Sequence, residues 1–260
     1  MSDDLAHKDG ADALWHDLRS LTVARIGLAR SGASIATGPL LEFKLAHARA
    51  RDAVHEELDA ERLRAELSEF GLPVLIVDSA VSERRDYLMR PDLGRQLSAQ
   101  AEAALAPYAG QYDVAFVIAD GLSARAIQTH AAPVLAALLP VIQGEGLSVA
   151  PLVIVRHGRV AIGDAIARAV GASSVAILIG ERPGLSAPDS MGAYLTWQPK
   201  SETTDADRNC ISNIRPEGIG RSDAAFRIAH LMRAMRARRV SGVRLKDESG
   251  RMVADGQSDG

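Results

Sequence analysis

The sequence contains a single cysteine, Cys210, among its 260 residues. One thiol cannot form an intramolecular disulfide, and it cannot build a zinc site made of several cysteines. The seven histidines include no His-x-x-x-His pair, so a histidine-based metal site has no support either. We therefore expect no metal ion bound by the side chains of this chain.

The chain also lacks an excess of charge and a long apolar run. Its 30 basic and 33 acidic residues leave a net charge of −3, which provides no basic surface for nucleic acid. The longest apolar stretch, 131–142, is too short to cross a bilayer and contains two prolines. The polar, acidic start lacks the basic and then apolar order of a signal peptide. We expect a cytoplasmic protein without nucleic-acid or membrane partners.

Nucleotide-binding motifs are missing as well. The sequence has no Gly-x-x-x-x-Gly-Lys-Ser/Thr. The two Gly-x-Gly pairs, at Gly144 and Gly218, lack both the third glycine and a preceding strand. ATP hydrolysis and nicotinamide binding are therefore unsupported.

Residues 1–72 are predicted to be helical. A first helix has apolar residues at three- and four-residue steps, at Leu14, Trp15, Leu18, Leu21 and Ile26. Thr37 is expected to cap a second helix that carries Pro39 in its first turn. The inner face of this second helix is predicted at Leu40, Leu41, Leu45, Ala48 and Val54. A third segment with Leu63 and Leu67 inside ends at Gly71.

From residue 73 the pattern changes to short apolar runs without alternation, at 73–78, 113–120, 149–155 and 174–180. Such runs are typical of strands that are buried on both faces in a parallel sheet. A further strand is predicted at 193–198. Helices are predicted between and after the strands, at about 91–106, 123–143, 164–170 and 223–239, and Pro133 and Pro140 are expected to split or kink the second of them.

The predicted fold class is therefore α/β, with a helical N-terminal region followed by a doubly wound, mostly parallel sheet domain. We expect the domain boundaries to give a helical domain at 1–72, an α/β domain at 73–245 and a frayed tail at 246–260. Residues 200–222 are polar and are expected to form an irregular loop with Cys210 in its middle.

In open parallel sheets, ligands bind beyond the carboxyl ends of the strands. The predicted ends are 78–79, 120–123, 156–160 and 180–184, and three of the four contain glycine, which allows backbone to approach a ligand closely. Two are rich in arginine, which suits phosphate or amide groups. We expect a ligand site at this edge; the alternative is a set of ordinary strand-to-helix turns in which Ser123 and Asp164 act only as helix caps.

A hydrolase is a second possibility. The segment 120–125 is partly similar to a nucleophile elbow, but Arg125 stands where Gly-x-Ser-x-Gly has its second glycine. Asp164 and His230 follow in the order that a triad with Ser123 would need. The same serine is also a good helix cap.

Seven segments together resemble the small (light) subunit of ethanolamine ammonia-lyase. In chain order they are LTVARIGLARSG (21–32), RARDAV (49–54), YLMRPDLG (87–94), DGLS (120–123), VRHGRV (155–160), GERPGL (180–185) and DRNCISNI (207–214). They follow the order of the family and span most of the chain, from about residue 14 to residue 243.

The resemblance implies an adenosylcobalamin-dependent lyase that converts ethanolamine into acetaldehyde and ammonia. In that family the substrate and most catalytic groups lie in a separate large subunit, and the small subunit covers the cobalamin from the other side. We therefore assign no catalytic residue to this chain. The family also implies a location in the cytoplasm, within a bacterial microcompartment for members with a longer N-terminal extension.

The cobalamin contacts of the family carry over onto Val160, Glu181 and Cys210. Val160 is expected to give an apolar or backbone contact, and Glu181 to accept from an amide N–H of the corrin. Cys210 is expected to pack on the cofactor rather than act as a nucleophile. The absence of Asp-x-His-x-x-Gly agrees with the base-on binding mode of the family. Two alternatives stay open: the Ser123 hydrolase, and a purely structural subunit that barely touches cobalamin.

Overall fold

The computed structural model describes residues 14–22 and 24–249. The helices are α1 (14–20), α2 (Thr37–His55), α3 (Ala60–Ser68), α4 (Arg84–Met89), α5 (Ala99–Leu105), α6 (Ala124–Gly144), α7 (Ile162–Val170) and α8 (Arg221–Arg238). The strands are β1 (Arg30–Ser31), β2 (Ser34–Ile35), β3 (Val74–Asp78), β4 (Tyr112–Ala119), β5 (Leu152–Arg156), β6 (Ala172–Gly180), β7 (Met191–Trp197) and β8 (Arg208–Ile214). The chain forms one compact unit of Met1–Asp52 with Gly184–Pro188, and a second of Ala53–Pro183 with Asp189–Gly260.

The first unit contains α1, the antiparallel pair β1–β2 and most of α2. The predicted first helix is confirmed at 14–20 but ends before Leu21 and Ile26, and the position of Pro39 in the first turn of α2 is confirmed. The expected burial of the apolar faces is wrong for six residues, which are exposed: Leu14, Trp15, Leu18, Leu21, Leu41 and Leu45. Periodicity identifies the apolar side of a helix, but it does not say what covers that side.

The second unit is built on a six-stranded sheet in the order β3-β5-β4-β6-β7-β8. The first four strands in that order are parallel, and β7 and β8 extend the sheet antiparallel. The apolar runs at 73–78, 113–120, 149–155 and 174–180 coincide with β3 to β6, as predicted. The α/β class with a mostly parallel sheet is confirmed.

Helices cover both faces of this sheet. Buried residues of α3, α6 and α8 pack on one face, and those of α5 and α7 pack on the other. Within the described residues, α6 alone is long and apolar enough to cross a membrane by length and composition. Nine of its side chains are buried in the core, which accounts for its hydropathy. The helix also runs unbroken through Pro133 and Pro140, so the expected split is wrong.

Residues 200–222 are not one irregular loop, because β8 lies within them. Ile211 and Ile214 are buried, while Cys210 and Ser212 face outward. Arg208 anchors the strand by a buried ion pair with Asp164 of α7, so Asp164 is not a cap. An edge strand with only two apolar side chains gives too weak a periodic signal to be predicted.

Two other boundaries differ from the expectations. Two shorter helices stand in place of the helix expected at 91–106: α4, which ends before residue 91, and α5. Ser98 caps α5 by accepting from the Ala101 N–H at 3.1 Å. The compact sheet unit begins at Ala53 rather than at residue 73, because α3 buries Leu63 and Leu67 in the core of the sheet. Most of the tail expected at 246–260 lies outside the described residues.

Candidate functional site

The carboxyl edge of the sheet is organised around the carboxylate of Asp120, which follows β4 and is only 3% exposed. Its Oδ1 accepts from the N–H of Gly158 at 3.1 Å, and its Oδ2 accepts from Arg84 Nη1 at 3.3 Å. Burial raises the pKa of Asp120, and Arg84 together with the peptide N–H groups of His157 and Gly158 opposes that rise. The carboxylate thus joins the turn after β5 to α4.

A positive φ and one further hydrogen bond fix the turn after β5. His157 has a positive φ of 56°, and this sharp change of direction brings the Gly158 N–H to Asp120. Ser79, just after β3, donates its hydroxyl to the carbonyl of His157 at 2.9 Å. The ends of three neighbouring strands are therefore held by one hydrogen-bonded group.

Tyr87 of α4 connects Arg84 to a second arginine. Its ring is fully buried, with the guanidinium carbons of Arg84 and Arg159 at 4.8 Å and 4.0 Å from the ring centroid. Its hydroxyl donates to the carbonyl of Gly158 at 3.1 Å. Burial raises the pKa of Tyr87, so it remains a hydroxyl at neutral pH. Cation–π contact holds both guanidinium groups in place.

Backbone contact between two glycines closes the floor of the edge. The Leu122 N–H donates to the carbonyl of Gly180 at 2.9 Å. A Cβ on Gly121, whose φ is +55°, would lie 2.3 Å from that carbonyl, and a Cβ on Gly180 would lie 2.1 Å from the Ser123 carbonyl. Only glycine permits this approach of the β4–α6 turn to the end of β6.

A cavity of about 420 Å³ opens above this floor. Its walls come from α4, the turns after β4 and β5, the end of β6 and the middle of β7; they are Tyr87, Gly121, Leu122, Arg159, Val160, Ile179, Gly180, Glu181, Arg182 and Tyr194. A second cavity of about 460 Å³ is lined by Asp120 and His157, among other residues. The first is the one that contains Val160 and Glu181.

The carboxylate of Glu181 is held by three donors. Ser190 and Ser212 donate their hydroxyls, one to each carboxylate oxygen, and the Asn213 N–H donates to Oε2 at 3.1 Å. An ionised carboxylate has about four acceptor sites, so roughly one remains for a ligand. Gly192 leaves the space for this arrangement, since a Cβ there would lie 3.0 Å from Oε1.

Cys210 lies beside the cavity without lining it. It pairs with Tyr194 across the β7–β8 ladder, and the Tyr194 hydroxyl is hydrogen-bonded to its thiol. Partial burial raises the pKa of Cys210, the Tyr194 bond opposes that rise, and the charge of Glu181 adds to it. The thiol is therefore neutral at physiological pH and is a poor nucleophile.

The structure thus brings Val160 and Glu181 to one cavity, and it places Cys210 one hydrogen bond away. Sequence reasoning did not single out Arg159 or Tyr194. Arg159 lies within the VRHGRV segment, whereas no motif in the sequence indicates that Tyr194 pairs with Cys210. These groups can bind and orient a ligand, but the cavity offers no activated nucleophile or free carboxylate pair.

The residues of the hydrolase alternative have other partners. Ser123 is fully buried and caps α6, accepting from the Ala126 N–H at 3.3 Å. Asp164 is paired with Arg208, and the ring of His230 stacks on Phe226. Among the described residues, no group of three or more histidine, cysteine, aspartate or glutamate side chains is arranged to hold a metal ion.

Comparison with known proteins gives one consistent result. A family model described as ethanolamine ammonia-lyase light chain (EutC) matches residues 12–246. The chain is 53% identical over 234 residues to a Rhodopseudomonas palustris protein named ethanolamine ammonia-lyase small subunit, which covers 90% of each chain. Proteins of the same name from Bradyrhizobium diazoefficiens (53% over 235 residues, 90% of each chain) and Azotobacter vinelandii (49% over 250 residues, 95% of this chain and 93% of that one) match as well.

We expect Asp120→Ala to lower the free energy of unfolding by about 3–5 kcal/mol, because it leaves the buried Arg84 without its carboxylate. Asp78→Ala is the matched control, since the Asp78–Arg156 pair at 3.3 Å is about half exposed and its loss costs under about 1 kcal/mol. Urea unfolding at pH 7 measures both. Equal losses in the two variants would show that Asp120 does not organise the edge.

We expect Cys210 to react with iodoacetamide more slowly at pH 8 than free cysteine does, because its raised pKa lowers the thiolate fraction. Tyr194→Phe removes the hydrogen bond that opposes the rise, so the reaction should slow further. The absence of other cysteines makes the rate specific to this site. A pH profile with a midpoint below that of free cysteine would contradict the assignment.

Proposed function

Because this chain belongs to the ethanolamine ammonia-lyase light-chain family, we propose that it acts as the small subunit that covers and binds adenosylcobalamin against the large catalytic subunit. The single observation that carries the proposal for this chain's own residues is the cavity that contains both Val160 and Glu181. The reaction of the complex is the conversion of ethanolamine into acetaldehyde and ammonia.

The cavity fits one edge of a corrin. The amide side chains of a corrin donate N–H groups, and Glu181 retains about one acceptor site for such a donor. Val160 and Ile179 give apolar contact, and Tyr194 places the Cys210 thiol beside them. A volume of about 420 Å³ is smaller than a corrin with its nucleotide tail, so this chain would hold only part of the cofactor.

When bound, adenosylcobalamin supplies the radical that initiates loss of ammonia from ethanolamine. The residues of this chain would position the cofactor and exclude water from one side of it. Glu181 is fixed by its three donors, so it can orient a corrin amide without moving. No residue of the chain is assigned a proton transfer or a covalent step. The sequence lacks Asp-x-His-x-x-Gly, which supports a base-on cofactor.

The exposed apolar residues of the first unit are the surface we propose for the large subunit. They lie on α1, directly after it and on α2, and Leu41 and Leu45 of α2 are 59% and 52% exposed. A group of large apolar side chains on a surface is more often a protein-binding site than a surface that stays in contact with solvent. A subunit of a heteromeric enzyme requires such a contact.

We expect this chain alone to show no ethanolamine deamination and the chain reconstituted with its large subunit and adenosylcobalamin to be active. Glu181→Ala should weaken adenosylcobalamin binding by the reconstituted complex about 10- to 100-fold, because it removes one hydrogen bond to a charged group. Glu202→Ala, an exposed carboxylate outside the cavity, is the control. Absorbance titration measures the affinity. Unchanged affinity in Glu181→Ala would favour the purely structural subunit, and deamination by the chain alone would contradict the assignment of catalysis to the large subunit.

A second test concerns the interface. Leu41→Asp together with Leu45→Asp should weaken association with the large subunit at least about ten-fold, since each places a charge in an apolar contact. Val243→Asp is the control, because Val243 is 84% exposed in the other compact unit. Size-exclusion chromatography at falling protein concentration gives the dissociation constant. Equal association of all variants would place the interface elsewhere.

A further inference from the structure

Arg159 is a positive charge in the cavity with no carboxylate partner among the described residues. Its Nη2 donates to the carbonyl of Tyr87 at 2.9 Å, and its backbone N–H donates to the carbonyl of Gly94 at 2.7 Å. Its Nε is buried without a hydrogen-bond partner, and the described chain offers no acceptor to Nη1. Buried N–H donors in native proteins are nearly always paired, so the buried Nε indicates a missing acceptor.

The position of this side chain is fixed before any ligand binds. The guanidinium lies over the Tyr87 ring at 4.0 Å. A Cβ on Gly94 would lie 2.8 Å from Arg159 Cγ, so the aliphatic part is packed closely against the chain. An arginine held in this way loses little conformational entropy when it binds an anion.

Glu181 does not neutralise Arg159. Its carboxylate is held by Ser190, Ser212 and Asn213, and no ion pair joins it to an arginine in the described residues. Arg182, which lines the same cavity, has no described carboxylate partner either. The cavity therefore carries more positive than negative charge.

The backbone adds to this charge. The N–H groups of Val160 and Ala161, just before α7, have no acceptor within the described chain. They stand at the positive end of that helix, next to Arg159. The guanidinium carries the argument, and the N–H of Val160, which lines the same cavity, adds a donor close to it.

We propose that Arg159 binds a phosphodiester, namely the phosphate in the nucleotide tail of the cobalamin. This inference rests on the proposed function. The phosphate is the only negatively charged group of that tail, and guanidinium donors match phosphate oxygens in geometry and charge. The cavity then holds two parts of one cofactor: Glu181 takes a corrin amide and Arg159 takes the tail.

The test uses the complex of this chain with its large subunit and two corrinoids, cyanocobalamin and dicyanocobinamide, which lacks the phosphate and the base. Arg159→Gln should weaken cyanocobalamin binding about 10- to 100-fold and leave dicyanocobinamide binding within about two-fold. Arg159→Lys should restore part of the loss, because it restores the charge. Absorbance titration reports both affinities without any turnover.

Arg168→Gln, on an exposed arginine of α7 outside the cavity, is the control and should bind both corrinoids as the unmodified complex does. Association with the large subunit, measured for every variant, separates loss of the tail contact from loss of the fold. If Arg159→Gln and Arg159→Lys both fail to associate, Arg159 is a structural residue and the inference is overturned.

Three other results would overturn the inference. Equal weakening of both corrinoids by Arg159→Gln would assign Arg159 to the corrin, and no weakening of either would remove it from the site. Calorimetric binding of inorganic phosphate to the complex already saturated with cyanocobalamin, abolished by Arg159→Gln, would identify a separate phosphate site. If the unmodified complex binds neither corrinoid, the proposed function itself fails.

Discussion

The arrangement of the carboxyl edge depends on the ion pair and the hydrogen bond made by one buried carboxylate, that of Asp120. A negative charge that is 3% exposed is tolerated only with partners, and its partners come from α4 and from the turn after β5. Arg84, which Asp120 holds, and Arg159 both lie against the Tyr87 ring, so the ring connects the two guanidinium groups. A single buried charge at the end of β4 therefore contributes to the position of a cavity arginine that follows β5.

The other wall of the cavity has a different origin, in the antiparallel extension of the sheet. Glu181 leaves β6 at the glycine that contacts the β4–α6 turn, and its donors come from the start of β7 and from β8. The pairing of Tyr194 with Cys210 belongs to the same ladder. The parallel core and the two added strands thus each provide half of the site. The ion pair of Arg208 with Asp164, which ties β8 to α7, holds the halves together.

The sequence predicts the parallel strands well because each is buried on both faces and appears as a continuous apolar run. It also predicts that ligand-binding residues follow these strands, since the chain direction alone places their carboxyl ends at one edge. It fails at β8, where Ile211 and Ile214 are the buried apolar side chains and long-range contacts decide the conformation. The role of Arg159 could not be predicted for the same reason, because it depends on a contact with Tyr87, which lies 72 residues away in the chain. The sequence predicts which sides of α1 and α2 are apolar. Apolar periodicity does not show whether such a side packs in the core or binds a partner.

The protonation states of the cavity residues limit the kind of chemistry this chain can perform. A neutral Cys210 thiol is a weak nucleophile, and three acceptor positions of the Glu181 carboxylate are already occupied by donors of the protein. Tyr87 and Tyr194 both have raised pKa values and remain hydroxyls. The thiol and the two phenols around the cavity therefore stay protonated at neutral pH. Side chains that keep their protons and are held in place by the protein suit the positioning of a ligand better than proton transfer or nucleophilic attack.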